Sequence, residues 1–290
     1  MRYSIENEQI QIAVDNHGAE LVSLIKKETG KEYMWCADPE YWGRVSPVLF
    51  PTVGKVAMGR LLIGEDEYPM GQHGFARDMD FELVGKEQEK ISFILNSSEE
   101  TRKLYPYDFS LTISYELKDK DVLVSWKVDN KAADAMHFQI GAHPAFNCPL
   151  GEGATTDCSL RFDKKDGLMY GLLNDDGLLE YDSNYITLDN GVLPIDEHLF
   201  DNDALIIENN QTHGVALCGP DGKSYVTVLF EAPLVGIWSP KKKNAPFVCI
   251  EPWYGRADRF DFTGSIEERE YINTLSAGES FNASYTIKIA

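Results

Sequence analysis

Apolar and polar positions alternate along most of the chain with a period of two residues, the pattern of half-buried strands. In "SLTISYEL", Leu111, Ile113, Tyr115 and Leu117 fall on one face. After the polar turn "KDKD", "VLVSWKV" repeats the alternation through Val122, Val124, Trp126 and Val128. Two such runs joined by a short polar turn predict a hairpin. The C-terminal "SFNASYTIKIA" alternates again through Phe281, Ala283, Tyr285, Ile287 and Ile289, and "ISFILNS", "ALIIEN", "GVALCG", "SYVTVLF", "VGIWS" and "FVCIEP" read as further strands. Helical signals are scarce. "SSEETRKLYP" offers a serine cap, early acids, later bases and a terminating proline, enough for at most two turns, and "DPEYWGR" offers one. A strand–helix–strand rhythm is missing, which argues against a doubly wound parallel sheet. The pattern predicts an all-β chain of large antiparallel sheets packed face to face, with few short helices. No low-complexity linker or short repeat divides it, so residues 1–290 are expected to form a single domain.

Charge narrows the partners. A formal net charge of −20 disfavours nucleic acid and anionic membrane surfaces and favours a small, neutral partner. An anionic ligand would need a local basic pocket. No apolar run is long enough to cross a bilayer, and the acidic start "MRYSIENEQIQIAV" does not resemble a signal peptide. The five cysteines, at 36, 148, 158, 218 and 249, are odd in number and widely spaced. Free thiols in a reducing cytoplasm are the plain expectation. Sequence spacing offers no metal motif, no phosphate-binding glycine loop and no nucleophile elbow. Metal ligation thus has weak support from the sequence.

Three segments carry candidate chemistry. In "MHFQIGAHPAFN", a strand over 136–143 puts His137, Gln139, Gly141 and His143 on one face and Met136, Phe138, Ile140 and Ala142 on the other. Pro144 lacks a ladder donor, so His143 falls at a strand end. It is either a rim histidine or a proton donor. In "APFVCIEPWYGRAD", Phe247, Cys249 and Glu251 share a face. A glutamate among aromatic and aliphatic neighbours is desolvated and becomes a stronger base. The alternative is a structural salt bridge from Glu251 to Arg256 or Arg259. Trp253 and Tyr254 offer flat faces to a sugar ring. In "QHGFARD", Gly74 permits a tight turn beside His73, and Arg77 is placed to reach the same site or to pair with Asp78 or Asp80. "KKK" at 241–243 reads as a solvated loop, and Asp201 and Asp203 as turn residues.

Taken in order, "SPVLFPTVGK", "QHGFARD", "GAHPAFNCP", "LFDNDALI" and "GIWSP…APFVCIEPWYGRAD" resemble the aldose 1-epimerase (galactose mutarotase) family, in particular its LacX-like branch. The resemblance implies a β-supersandwich and the cofactor-independent interconversion of α and β anomers of a free hexose such as galactose or glucose. It implies His143 as general acid, Glu251 as general base, and His73 and Asp203 as sugar-binding residues. The family's arginine after "FP" has no obvious counterpart in "VGKVAMGRL", where Lys55 and Arg60 are the candidates, with Arg77 a further one. Phe146, Trp238 and Trp253 are candidates for stacking. The chemistry asks for an acid and a base on opposite sides of one pyranose. Two alternatives stay open: a hexose-phosphate mutarotase using cations such as Arg44, Lys55, Arg60, Arg77 and the 241–243 lysines, and a carbohydrate-binding protein without turnover. A glycoside hydrolase fits less well, because it normally needs two carboxylates and one stands out here. Oligomeric state is not written in the sequence.

Overall fold

The computed structural model describes all residues, 1–290. Nearly all regular structure is strand, and every paired strand is antiparallel to its neighbour. The predicted hairpin is present as Phe109–Lys118 and Asp121–Asn130, with Leu111 opposite Val128, Ile113 opposite Trp126, and Tyr115 opposite Val124. Its turn is tight, and Asp119 adopts a left-handed φ of 54°. The C-terminal strand Ser280–Ile289 lies between Asp121–Asn130 and Ser224–Phe230, at the centre of a nine-stranded sheet.

A second large sheet carries the strands Leu179–Thr187, Gly167–Leu173, Leu205–Ile207, Leu234–Trp238, Phe247–Tyr254, Ile140–Ala142 and Val48–Leu49 in that spatial order, with Ala145–Asn147 also paired to Phe247–Tyr254. A smaller four-stranded sheet comes from residues 2–32. The inner faces of all three contribute to one continuous apolar core, including Ile12, Val124, Tyr285, Ile237, Val248 and Ile250. Trp126 of the nine-stranded sheet meets Tyr254 of the second sheet edge-on, with ring centroids 6.5 Å apart.

The helical expectations shrink. Glu99–Arg102 forms one helical turn, capped by Ser98 and Thr101. "DPEYWGR" makes a turn in which the Trp42 N–H donates to the Asp38 carbonyl, but no named helix. The expected continuous strand over 136–143 is split into Met136–Phe138 and Ile140–Ala142. The physical reason is Gln139. Its side-chain oxygen accepts from Val53 N–H at 3.1 Å and its amide nitrogen donates to the Glu270 carbonyl at 3.1 Å. Those long-range bonds pull the backbone out of the ladder. The facial segregation survives, because Met136, Phe138, Ile140 and Ala142 all enter the core.

Candidate functional site

The outer face of the second sheet holds the site. Along Phe247–Tyr254 the residues Val248 and Ile250 point into the main core, so Phe247, Cys249, Glu251 and Trp253 point outward. Two small apolar clusters form there. Phe247 and Cys249 pack with Trp35, Ala145 and Ala245, while Trp253 packs with Leu49, Val53, Ala204 and Leu234. Glu251 stands between them and is 1% exposed. Burial, aided by the nearby charge of Asp203, holds its carboxyl well above the usual carboxylate range. The salt bridges considered from the sequence are not made. Arg256 pairs with Glu208 and Glu270, and Arg259 pairs with Glu270.

His143 follows the short strand Ile140–Ala142, and the chain rejoins the same partner strand at Ala145. The interruption at His143–Pro144 aims the imidazole outward, 3.3 Å from Glu251 (Nε2 to Oε2). This approach lacks the alignment of a hydrogen bond, and His143 Nδ1 and Glu251 Oε2 are buried without partners. Trp42 stacks on the imidazole at 4.7 Å and 28°, and Trp238 meets it edge-on at 5.3 Å. Burial in this aromatic setting, reinforced by Arg77 and Arg44, pushes the His143 pKa down to about 3. The two directions agree: burial favours the neutral form of both side chains. Where the sequence expectation was an acid and a base on opposite sides of one ring, the two side chains lie 3.3 Å apart on one wall of the cavity.

His73 lies in the turn "QHGF" with a left-handed φ of 68°, a conformation uncommon for a residue with a side chain. The next residue has to be glycine, because a Cβ on Gly74 would come within 2.2 Å of the Phe50 carbonyl oxygen. Gly54 N–H donates to His73 Nδ1 at 3.0 Å, fixing Nδ1 as the acceptor. Burial, together with His143, Arg77 and Arg44, holds the His73 pKa well below its usual value. With Nδ1 accepting, the ring proton belongs on Nε2, which then needs an acceptor other than the Gln72 amide nitrogen 3.3 Å away. Its centroid is 5.6 Å from that of His143.

These groups share a cavity of about 400 Å³, also lined by Trp42, Arg44, Arg77, Asp203, Trp238 and Trp253. That volume suits a small ligand such as a monosaccharide. Asp203 is half-buried with φ 70°, and its Oδ1 accepts from the Ala204 N–H. Arg44 and Arg77 both engage Asp78, at 2.6 Å and 3.7 Å, and Arg77 also donates to the Gln72 carbonyl.

Three sequence candidates fall outside. Arg60 is turned away by the bend at Ala57–Gly59 and pairs with Glu67 at 2.7 Å. Lys55 is exposed and does not line the cavity, although its neighbour Gly54 does. Phe146 is fully buried in the main core. Of the three lysines, Lys243 donates to the Glu40 and Tyr41 carbonyls, steadying the turn that carries Trp42, and Lys241 pairs with Asp175. Trp42 was not legible as a site residue. Its signal is "YWGR", an aromatic and an arginine around a glycine just before the "SPVLFP" motif.

Trp253 is laid flat by two glycines. Opposite it, Gly141 leaves room for its Cδ1 edge, and on the other side Gly236 leaves room for Cη2, which a Cβ at 236 would meet at 2.3 Å. Gly236→Ala is therefore expected to lift the indole into the cavity and weaken binding of a monosaccharide there, by roughly 10-fold or more. Gly85→Ala, where a Cβ meets nothing within 4 Å, is the matched control. Equal monosaccharide affinity in the two variants would contradict this packing role.

One set of donors in the site has metal-ligand chemistry: His143, Cys249 and Glu251 place one ligand atom each within 4.8 Å of one another.

Comparison with known proteins bears on the family and the fold. The chain matches the aldose 1-epimerase family over residues 1–288. It is 30% identical over 299 aligned positions to the plasmid-encoded protein LacX of Lactococcus lactis subsp. lactis, covering 100% of this chain and 99% of that one. Among solved structures it resembles a galactose mutarotase related enzyme from Lactobacillus acidophilus, with TM-score 0.94, 37% identity, and 100% and 97% of the two chains covered. It also resembles a galactose mutarotase-like protein from Lactobacillus casei, with TM-score 0.94, 30% identity, and both chains covered in full. The chain belongs to the aldose 1-epimerase family.

Proposed function

We propose that the chain interconverts the α and β anomers of a free hexose, galactose or glucose, with Glu251 as base and His143 as acid. The observation that carries this reading is the 3.3 Å approach of His143 Nε2 to Glu251 Oε2 on the wall of a sugar-sized cavity, with neither group consumed by a structural partner. In a pyranose, the anomeric hydroxyl and the ring oxygen are bonded to the same carbon, C1. An acid and a base that touch can address both at once.

In this reading the resting pair holds one proton, the one that is delivered to O5. Passing it from carboxyl to imidazole gives a carboxylate and an imidazolium. A bound sugar favours this form, because the anomeric O–H donates to the carboxylate. The face of Trp42, stacked on the imidazole, stabilises the cation. Glu251 then takes the proton from O1 while His143 gives one to O5. The C1–O5 bond breaks and C1 becomes an aldehyde. Rotation about C1–C2 presents the other face of the carbonyl. O5 attacks C1, returning its proton to His143 as O1 recovers one from Glu251. His73 Nε2–H donates to a ring hydroxyl, Asp203 accepts from another, and Trp238 and Trp253 bound the ring. Free cysteines, four of the five buried, suit a reducing cytoplasm.

Polarimetry of freshly dissolved α-galactose and α-glucose tests the reading. Equilibration faster than the spontaneous rate, in proportion to protein concentration, is expected. Saturable sugar binding with no acceleration would replace the enzyme by a binding protein.

A second reading has its own observation, the two arginines Arg44 and Arg77 on the cavity wall. They suit a sugar carrying an acidic group such as a phosphate. Both are already tied to Asp78, which favours the neutral hexose. Glucose 6-phosphate and glucose assayed at two salt concentrations separate the cases, since phosphate recognition weakens with ionic strength.

The pH dependence follows from the pair. A second proton joins it only near the depressed His143 value of about 3, and its own proton leaves only well above the carboxylate range. Falling pH therefore costs activity late, and rising pH costs it through loss of the shared proton. The expected kcat/KM profile has no acid limb near pH 6.5, where an ordinary histidine titrates. An acid limb centred near 6.5 would contradict the one-proton pair.

A further inference from the structure

We propose that the wall of this cavity is also a binding site for a thiophilic divalent cation of the zinc class, held by Cys249, His143 and Glu251, and that the cation competes there with the sugar. Cys249 and Glu251 are two residues apart on one strand and face the same way, and His143 reaches them from the adjacent chain segment. Their ligand atoms lie within 4.8 Å of one another, and the His143–Glu251 pair is already at 3.3 Å. Zinc takes nitrogen, sulfur and oxygen ligands at about 2.0–2.3 Å in tetrahedral sites, often with three protein ligands and one open position. A tetrahedral shell with those bond lengths spaces its ligand atoms about 3.3–3.8 Å apart, so the three atoms have to close by about an ångström; of the three side chains, His143 and Glu251 line the cavity. The unpartnered atoms Glu251 Oε2 and His143 Nδ1 show that the surrounding chain does not hold these side chains in other bonds.

A dication bound by a thiolate, a carboxylate and a neutral imidazole sums to zero net charge, so the buried site is left with no uncompensated charge. The thiolate selects zinc, cobalt or cadmium over magnesium and calcium, which prefer oxygen.

Cation binding stands on these three side chains alone, while competition with the sugar rests on the proposed activity. The test is cobalt(II) titration of the full chain, read by thiolate-to-cobalt charge-transfer absorption. One cobalt per chain, displaced by zinc but not by magnesium, is expected. Cys249→Ala should lose the band and at least 10-fold in affinity. Cys36→Ser, which removes the exposed thiol, and His198→Gln, which removes a surface imidazole between Glu197 and Asp201, should change neither. Added hexose should raise the apparent zinc dissociation constant, and zinc should slow mutarotation reversibly. Absence of the band in the wild-type chain, its loss in Cys36→Ser, or its survival in Cys249→Ala would overturn the site. The wild-type and Cys36→Ser spectra decide even if Cys249→Ala folds poorly. Faster mutarotation with zinc, or zinc binding unmoved by hexose, would overturn the competition. A chain that binds cobalt as described but never accelerates mutarotation would leave the cation site standing and remove the enzyme reading instead.

Discussion

Glu251→Gln should reduce the rate of anomer interconversion by roughly 10²–10⁴-fold, the usual contribution of one positioned acid or base, while the fold is unchanged. The two halves of this expectation have the same cause. Burial between two apolar clusters favours the neutral carboxyl, so an amide of the same shape is a close neutral replacement. Thermal unfolding should therefore shift little. Catalysis is another matter, because the amide can neither accept the O1 proton nor hold the proton that the pair shares. A variant with full rate would remove Glu251 from the chemistry. A variant that is both slow and grossly unstable would show that the carboxyl is a structural group.

His143→Asn should cost a similar factor in rate. An asparagine keeps a polar group near Glu251 but has no proton to give at neutral pH. It also leaves Trp42 without the ring on which it stacks, so some loss of sugar affinity is expected with the loss of rate. The informative result is the double variant. Because the two residues share one proton, removing both should cost little more than removing either, as with other groups that act as a unit. Losses that multiply would mean that acid and base act independently, and the contact between Nε2 and Oε2 would then carry no mechanistic weight. Polarimetric initial rates of the wild type, both single variants and the double variant settle the point.

The period-two alternation made the fold class, the hairpin at 109–130 and the C-terminal strand legible, because each side chain in those strands is either in the core or out of it. The split at Gln139 was not legible. It depends on partners at Val53 and Glu270, which local pattern does not reveal. Site residues behaved similarly. His143 and Glu251 announced themselves by a proline-terminated strand and by an acid at the end of an apolar run, and the structure brings them together. Lys55 and Arg60 were reached by counting along the chain from a motif. The bend at Ala57–Gly59 sends that segment elsewhere, and Arg44 and Arg77 line the cavity in its place. Trp42 sits in a turn held by a lysine some 200 positions away. No periodicity marks such a residue.

The most direct test is a crystal structure of the wild-type chain with a bound hexose. The account predicts a pyranose in the cavity between Trp238 and Trp253, its anomeric hydroxyl within hydrogen-bond reach of Glu251 and its ring oxygen within reach of His143 Nε2. A sugar bound in another cavity, or bound here with its anomeric carbon turned away from both side chains, would contradict it.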